Sequence, residues 1–145
     1  MHTTLIEPET RLRNAGLRVT AQRVAVLHAL DARPHASADA LHGDVRAIVP
    51  GIALPTVHGV VKDLATAGIV RRVSLPDIGS ALYEIESDDN HHHLQCVRCG
   101  RVEDVACAVG ETPCLHPSHD HGMRVIEAAV TYRAICHECE GNENV

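Results

Sequence analysis

The sequence predicts an α+β fold, with an N-terminal helical part that ends in a β-ribbon and a C-terminal part made mainly of short strands. Three observations support this prediction. Apolar residues recur with helical spacing up to residue 68, β-rich stretches flank a turn before residue 86, and strand patterns with two Cys-x-x-Cys pairs follow. We therefore expect one domain over residues 1–86 and a second over residues 87–145.

Two helices are predicted near the N-terminus. The first covers residues 8–15 and ends near Gly16. The second has Thr20 as its N-cap and runs through Leu30, and it ends before Pro34 because proline disfavours helical geometry in the residue that precedes it. The residues expected on its inner face are Val24, Leu27 and Leu30.

The next two helices carry apolar stripes. Ser37 caps a third helix, which ends at Pro50-Gly51. A fourth helix opens at Pro55-Thr56 and stops at Gly68. The expected inner residues are Leu41, Val45, Ile48 and Val49 in the third helix and Val57, Val60, Val61 and Leu64 in the fourth.

A β-ribbon follows the fourth helix, with residues 69–75 and 80–85 as its strands and residues 76–79 as its turn. Short helices followed by a two-stranded ribbon are typical of a winged helix, in which the helix before the ribbon enters the major groove of DNA. Residues 86–90 are polar and form the predicted hinge.

Short strands dominate the second part. We expect them over residues 94–97, 102–106 and 125–132. Residues 107–122 are rich in Pro, His and Cys and predict a loop.

The composition excludes several functional classes. Two Tyr and no Phe or Trp among 145 residues argue against an aromatic stacking platform for single-stranded nucleic acid. No apolar run approaches the ~20 residues of a membrane span, and the N-terminus lacks the basic and apolar regions of a secretory signal. We therefore expect a cytoplasmic protein without a membrane partner, in which the six Cys are metal ligands or redox thiols rather than a disulfide framework.

The net charge of -6 hides an asymmetry. Residues 1–86 hold nine basic and nine acidic side chains, whereas residues 87–145 hold four and ten. Phosphate contact needs a local basic face rather than a basic protein, so the acidic total leaves DNA binding open. On charge alone, solvated helix faces remain the simpler explanation of the clustered arginines, which are Arg11, Arg13, Arg18, Arg23, Arg71 and Arg72.

The strongest motif consists of two cysteine pairs, Cys96-x-x-Cys99 and Cys136-x-x-Cys139. This spacing predicts a structural Zn²⁺ site, because a two-residue gap lets one turn present two sulfur atoms to one ion. A thioredoxin-type redox pair is the alternative, but it requires Cys-x-x-Cys at the start of a helix within a βαβ unit, and no such unit is predicted. Cys107 and Cys114 are left over and are interpreted as packing or exposed thiols.

Three consecutive histidines lie near the start of the second part of the chain. The chain has twelve histidines in total, more than packing requires. Alternation along a strand puts His91 and His93 on one side and His92 on the other. With Glu84 and Asp104, His91 and His93 form a mixed nitrogen and oxygen donor set, which suits Fe²⁺, Mn²⁺, Zn²⁺ or Ni²⁺. A second group is interpreted as an exposed, weakly binding loop and comprises His116, His119 and His121.

Five segments, taken in order and at their spacing, resemble the ferric uptake regulator (Fur) family over nearly the whole chain. They are Thr20-Ala-Gln-Arg23, Pro34-His35-Ala-Ser-Ala38, Thr56-Val57, His91-His-His-Leu-Gln-Cys-Val-Arg-Cys-Gly100 and Cys136-His-Glu-Cys139. Residues 91–105 and 107–115 look most like the actinobacterial FurA branch, whose members typically accompany a catalase-peroxidase gene.

The resemblance implies a winged-helix N-terminal domain, a C-terminal α/β dimerisation domain with a four-cysteine zinc site, and a homodimer that binds palindromic double-stranded operator DNA when metallated. The implied zinc ligands are Cys96, Cys99, Cys136 and Cys139. The implied ligands of a regulatory Fe²⁺ or Mn²⁺ are His35, Glu84, His91, His93 and Asp104. A further site would use His92 and Glu111, but Asn90 and Ala128 stand where family members have ligands, so weak binding is expected there.

The DNA contacts that we expect involve Arg18, Thr20, Gln22, Arg23, Thr56, His58 and Lys62. The fourth helix departs from the family pattern, because His58-Gly59 stands where most members have Tyr-Arg. The operator sequence is therefore not implied by the resemblance.

The combined prediction is a metal-dependent transcriptional repressor without enzymatic activity, in which Glu84 belongs to the hinge. By resemblance, peroxide-responsive members have Asp at the position of Asp104 and iron-responsive members have Glu, so we expect peroxide as the signal and oxidative-stress genes, including catalase-peroxidase genes, as the targets. The alternatives are an iron-uptake or other metal-uptake repressor, a zinc adaptor or metal-handling protein that does not bind DNA, and a hydrolytic metalloenzyme. The sequence offers no support for a metalloenzyme or another hydrolase, since it has no HExxH motif, no P-loop and no Ser, His and Asp in the chain order of a catalytic triad.

Overall fold

The computed structural model describes residues 6–86, 91–106, 118–125 and 130–141. The chain divides into two compact units, Met1–Glu86 and Ser87–Val145. Among the described residues, none of the helices has the length and apolar character needed to span a bilayer. The helices of the first unit are α1 (Pro8–Asn14), α2 (Ala21–Ala32), α3 (Ala38–Val45) and α4 (Leu54–Thr66).

The predicted N-caps of α2 and α3 are confirmed. Thr20 Oγ1 accepts a hydrogen bond of 3.2 Å from the backbone N–H of Arg23, and Ser37 Oγ accepts one of 3.2 Å from that of Ala40. Each cap satisfies one of the backbone donors that a helix start leaves without an intrahelical partner.

Helix α2 runs through Leu30 to Ala32 and ends before Pro34, as predicted. The end of α3 differs from the prediction. Helix α3 ends at Val45, and the N–H groups of Ile48 and Val49 both donate to the carbonyl of Val45, at 2.9 and 2.8 Å. This tight turn directs Ile48 outward, where it is 59% exposed, so the prediction that it lies on the inner stripe was wrong.

Helix α4 matches its predicted pattern. Its four predicted inner residues are all buried, and it ends in a glycine with φ of +78° at Gly68. The N–H of Gly68 donates to Ala65, and that of Ile69 donates to Leu64, a hydrogen-bond pattern that closes a helix C-terminus. Only glycine adopts this left-handed backbone without a steric cost from Cβ. The buried inner face leaves the opposite face of α4 for contacts with other molecules.

The core of the first unit lies between its helices and its sheet. Each large apolar side chain buried there stabilises the fold by about 1.5–3 kcal/mol relative to an exposed one. The largest fully buried side chains are Leu12, Leu27, Leu30, Leu41, Leu64, Val26, Val45, Val57 and Val61.

The sheet of the first unit contains the predicted ribbon and one strand that was not predicted. The ribbon strands β2 (Val70–Val73) and β3 (Leu82–Ile85) are antiparallel and shorter than expected. A third strand, β1 (Ala36–Ser37), pairs with β3, which gives the order β1-β3-β2. Short helices followed by this ribbon form a winged helix, so the predicted fold class is confirmed.

The second unit contains a sheet of order β5-β4-β6 and a short helix, α5 (His137–Glu140). Strand β4 (His91–Cys96) is antiparallel to β5 (Val102–Ala106) and parallel to β6 (Thr131–Ala134). Strand β4 begins at His91 rather than at the predicted Leu94, because its pairing with β5 starts at His91. Residues 126–129 of the strand predicted over 125–132 lie outside the described residues.

Candidate metal centres and nucleic-acid interface

The four cysteines of the two Cys-x-x-Cys pairs converge at one end of the second sheet. Strands β4 and β6 are parallel neighbours, so the chain leaves both at the same end. Cys96 ends β4, and Cys136 follows β6 by two residues. The four Sγ atoms lie within 4.8 Å of one another, and those of Cys99 and Cys136 are 3.7 Å apart.

This sulfur geometry fits a tetrahedral zinc ion. A Zn–S bond of about 2.3 Å places two tetrahedral thiolates about 3.8 Å apart, close to the separation of Cys99 and Cys136. Backbone N–H groups of Cys99, Cys136 and Arg98 lower the pKa of Cys96 from 9.0 to about 5, which favours the thiolate that a metal requires. The thiol of Cys139, hydrogen-bonded to Cys136 and partly buried, has its pKa raised to about 12. A bound Zn²⁺ would replace the protons of such thiols.

A histidine and a carboxylate are paired within the first unit. Strand β1 pairs Ala36 with Tyr83 of β3, which brings the preceding His35 next to Glu84. His35 Nε2 is 3.2 Å from Glu84 Oε2, and both side chains are more than 90% buried. The prediction that Glu84 belongs to the hinge was wrong, because it lies within β3 opposite Arg71 of β2.

A second histidine and carboxylate pair lies within the second unit. His93 of β4 is directly opposite Asp104 of β5, and His93 Nε2 is 3.5 Å from Asp104 Oδ1. His93 is 5% exposed, and the neighbouring His92 is 3% exposed. His91 is the first residue of β4, opposite Ala106.

Each of these two pairs fits two ligands of a single divalent ion. Two donor atoms bound at about 2.1 Å lie about 3.0–3.4 Å apart at octahedral or tetrahedral angles. The distances of 3.2 and 3.5 Å are close to that range. Imidazole and carboxylate donors suit Fe²⁺ and Mn²⁺, in contrast to the thiolates of the cysteine cluster.

The remaining metal-site predictions are only partly within the described residues. Glu111, Cys107, Cys114 and His116 lie outside them. The rings of His119 and His121 have centroids 4.3 Å apart, and His119 Nδ1 accepts a hydrogen bond from the N–H of His121. In the part of the chain that the structure describes, no third His, Cys or carboxylate ligand joins these two rings.

The outward face of α4 is polar and accessible. His58, Gly59 and Lys62 are exposed, and Thr56 is half-buried in the first turn. Gln22 and Arg18 are also exposed, at the start of α2 and in the loop before it. The predicted DNA-contact residues thus include four exposed polar side chains in the first unit.

Two predicted DNA contacts already have intramolecular partners. Thr20 caps α2, and the Arg23 guanidinium donates a 2.7 Å hydrogen bond to the carbonyl of Arg18. The same guanidinium lies 3.6 Å from the carboxylate of Asp63 in α4. Arg23 therefore links the Arg18 loop to α4. Sequence reasoning missed Asp63, because no local pattern connects it with a residue forty positions earlier.

Comparison with known proteins places this geometry in a family. Residues 14–133 match the model of the ferric uptake regulator family. The transcriptional regulator FurA of Mycobacterium tuberculosis is 45% identical over 129 residues, which cover 89% of this chain and 87% of that protein. Ferric uptake regulation protein 1 of Mycolicibacterium fortuitum is 45% identical over 123 residues, which cover 85% of this chain and 76% of that protein.

The fold comparison agrees with the sequence comparison. The crystal structure of the Vibrio cholerae ferric uptake regulator has a TM-score of 0.64 and 25% identity, and the match covers 88% of this chain and 98% of that one. Regulators of this family are DNA-binding dimers and are not enzymes. Because the family model matches and the chain has the winged-helix fold and the four-cysteine cluster, we conclude that it belongs to the ferric uptake regulator family of metal-responsive transcription regulators.

Proposed function

We propose that this chain is a cytoplasmic repressor that binds palindromic operator DNA as a homodimer in its metal-bound form and releases it when hydrogen peroxide oxidises a histidine at an Fe²⁺ site. The observation that carries the proposal is Asp104 opposite His93, with 3.5 Å between Oδ1 and Nε2. The proposed targets are oxidative-stress genes, including catalase-peroxidase genes. The alternative is control of iron uptake, and the experiments below distinguish it from the peroxide response.

The proposed DNA-reading surface is the outward face of α4. His58 and Lys62 lie one helical turn apart and are exposed, so both side chains can reach base edges in a major groove. Arg18 is the proposed phosphate contact, since its exposed side chain extends from the loop before α2. Thr20 and Arg23 support this surface through the cap and the Arg23 contacts with the Arg18 loop and Asp63.

A homodimer is supported by apolar side chains exposed on the second unit. Leu94, Val97 and Ile135 are 36%, 46% and 45% exposed. Large exposed apolar side chains of this kind favour association with another protein surface. A twofold dimer also matches a palindrome, whose half-sites lie about 34–36 Å apart or a multiple of it.

The proposed structural metal is Zn²⁺, bound by Cys96, Cys99, Cys136 and Cys139. Four Sγ atoms within 4.8 Å of one another support it. Such a site contributes on the order of 10 kcal/mol of apparent folding free energy. It would hold together a small unit whose sheet has only three strands among the described residues.

The proposed regulatory metal is Fe²⁺ or Mn²⁺. Its ligands would be His35 and Glu84 from the first unit, with His91, His93 and Asp104 from the second. An ion that takes ligands from both units fixes their relative orientation, and hence the spacing of the two α4 helices in a dimer. Because the ion binds the DNA-competent arrangement better than others, it shifts the population toward that arrangement.

Peroxide sensing rests on the length of one carboxylate. Asp104 is one methylene shorter than Glu, so it would chelate a bound ion less readily and would leave room there for a small oxidant. Bound Fe²⁺ supplies the one-electron chemistry that activates peroxide. In the net step, one oxygen atom of H₂O₂ replaces hydrogen on an imidazole carbon of His35 or His91 as C–OH, and water leaves. The oxidised ring is a weaker ligand, so the DNA-competent arrangement loses its support.

A gel-shift titration tests the proposal. The probe is the promoter DNA upstream of the chain's own gene, and the protein carries zinc with no second metal, with Mn²⁺ or with Fe²⁺ under exclusion of air. We expect binding only with Mn²⁺ or Fe²⁺, and loss of binding after micromolar peroxide only for Fe²⁺. Metal-independent binding would contradict the regulatory site. Binding that follows iron supply and ignores peroxide would favour the iron-uptake alternative.

A further inference from the structure

The cysteine cluster is assembled from two chain segments far apart in the sequence. One arm is the turn that carries Cys96 and Cys99, and the other is the segment from Cys136 through α5. The arms meet through backbone contacts, with Val97 N–H donating to Ala134 and Cys136 N–H directed at Cys96 Sγ at 3.4 Å. The site thus depends on how firmly the second arm is held against the first.

Arg98 provides a side-chain link between these arms. Its Nη1 donates a 2.7 Å hydrogen bond to the backbone carbonyl of Cys139, 41 residues away in the sequence. Cys139 lies near the end of α5, where carbonyl groups have no following helical turn to donate to them. A charged donor at this distance makes a stronger bond than a neutral one.

Arg98 therefore acts on the cluster through the backbone of one ligand residue, Cys139. Arg124 is a useful contrast, because it is exposed and belongs to neither of the two segments that carry the cysteines.

We propose that Arg98 is a positioning residue for the cysteine site, which clips α5 onto the Cys96–Cys99 turn and slows the release of the bound metal. This inference rests on the proposed zinc site. Partners of this kind around a metal centre change its affinity by about 10–100-fold when they are removed. The clip explains how an arm that ends in a four-residue helix holds two of the four ligands.

The test measures how fast the full-length protein releases zinc to a chromogenic chelator. The variants are Arg98→Ala, Arg98→Lys and the control Arg124→Ala, with the zinc content of the wild type measured first. We expect release to be about tenfold faster for Arg98→Ala, intermediate for Arg98→Lys, which keeps a charged donor, and unchanged for Arg124→Ala. Wild-type protein without zinc would overturn the zinc site itself, and the clip with it.

A second readout separates positioning from folding. The same variants are loaded with Co²⁺, whose ligand-field absorption reports tetrahedral thiolate coordination. We expect Arg98→Ala to keep the wild-type spectrum while releasing metal faster. Release at the wild-type rate would overturn the proposal. So would a lost tetrahedral spectrum, because Arg98 would then be required to form the site rather than to hold it closed.

Discussion

Glu84 and His35 are paired inside the first unit, with 3.2 Å between Glu84 Oε2 and His35 Nε2. His35 has a φ of +62°, a left-handed backbone that is uncommon for a residue with a Cβ atom. The strand pair β1–β3 holds this conformation, because Ala36 and Ser37 are fixed opposite Tyr83 and Leu82. The sheet of the first unit thus fixes this pair, at some cost in backbone strain.

Replacement of Glu84 tests the contribution of this pair to the regulatory site. We expect Glu84→Gln to lower Mn²⁺ affinity by at least about tenfold, since the amide removes an anionic ligand and keeps the side-chain shape. Glu86→Gln is the control, two residues along the same chain and outside the proposed ligand set. Electron paramagnetic resonance of free Mn²⁺ measures the Mn²⁺ affinity of both variants. Equal affinity in the two variants would remove Glu84 from the site.

The cysteine site makes a prediction about assembly. We expect Cys96→Ser to lose about one Zn²⁺ per chain and to lose the dimer, because thiolate ligation contributes to the folding of the second unit. Elemental analysis and sedimentation velocity provide the two measurements. Cys107→Ser, a cysteine outside both Cys-x-x-Cys pairs, should behave as the wild type. A Cys96→Ser protein that retains zinc and dimerises would contradict the assignment.

The DNA surface makes separate predictions for its two kinds of contact. Arg18→Ala should weaken binding to every sequence alike and reduce the slope of log affinity against log salt by about 1, as the loss of one phosphate contact does. His58→Ala should change the preference among operator variants with little change in that slope. Fluorescence anisotropy at several salt concentrations separates them, with Arg101→Ala as the control. Wild-type behaviour of both variants would move the DNA-binding surface elsewhere.

Local signals predicted much of the first unit. Local spacing was enough to predict the features that depend on residues within one or two helical turns. These are the caps at Thr20 and Ser37, the buried stripe of α4 and its end at Gly68. Strand β1 was missed because two residues carry no periodic signal and form a strand only through pairing with β3. Ile48 continued the apolar spacing of α3, but the turn at Val45 broke that helix first.

The candidate sites likewise contain residues that local patterns identified and residues that only tertiary contacts connect. Short spacing identified both cysteine pairs, and strand alternation with the following strand suggested His93 and Asp104, which the ladder places opposite each other. His35 was singled out only by family resemblance, because its contact with Glu84 depends on pairing between strands that are distant in the sequence. The links made by Arg23 and Arg98 follow from tertiary structure alone.

The length of the carboxylate at position 104 makes a prediction about the signal. We expect Asp104→Glu to keep metal-dependent DNA binding and to lose most of the peroxide response, because the longer side chain closes the coordination position that peroxide needs. Glu103→Asp is the control, on the same strand but with its carboxylate exposed and paired with Arg101. Gel shifts of the Fe²⁺ forms before and after peroxide measure the response. An unchanged response in Asp104→Glu would remove this carboxylate from the sensing step.

Peptide mass spectrometry of the peroxide-treated protein tests the central claim most directly. The Fe²⁺ form is treated with micromolar peroxide, digested and compared with the Mn²⁺ form treated identically. We predict that the peptide containing His35 or the one containing His91 gains the mass of one oxygen atom in the Fe²⁺ form only, in proportion to the loss of DNA binding. Unmodified histidine peptides, with oxidation confined to Cys107 or Cys114, would show that the sensor is a thiol and contradict the account.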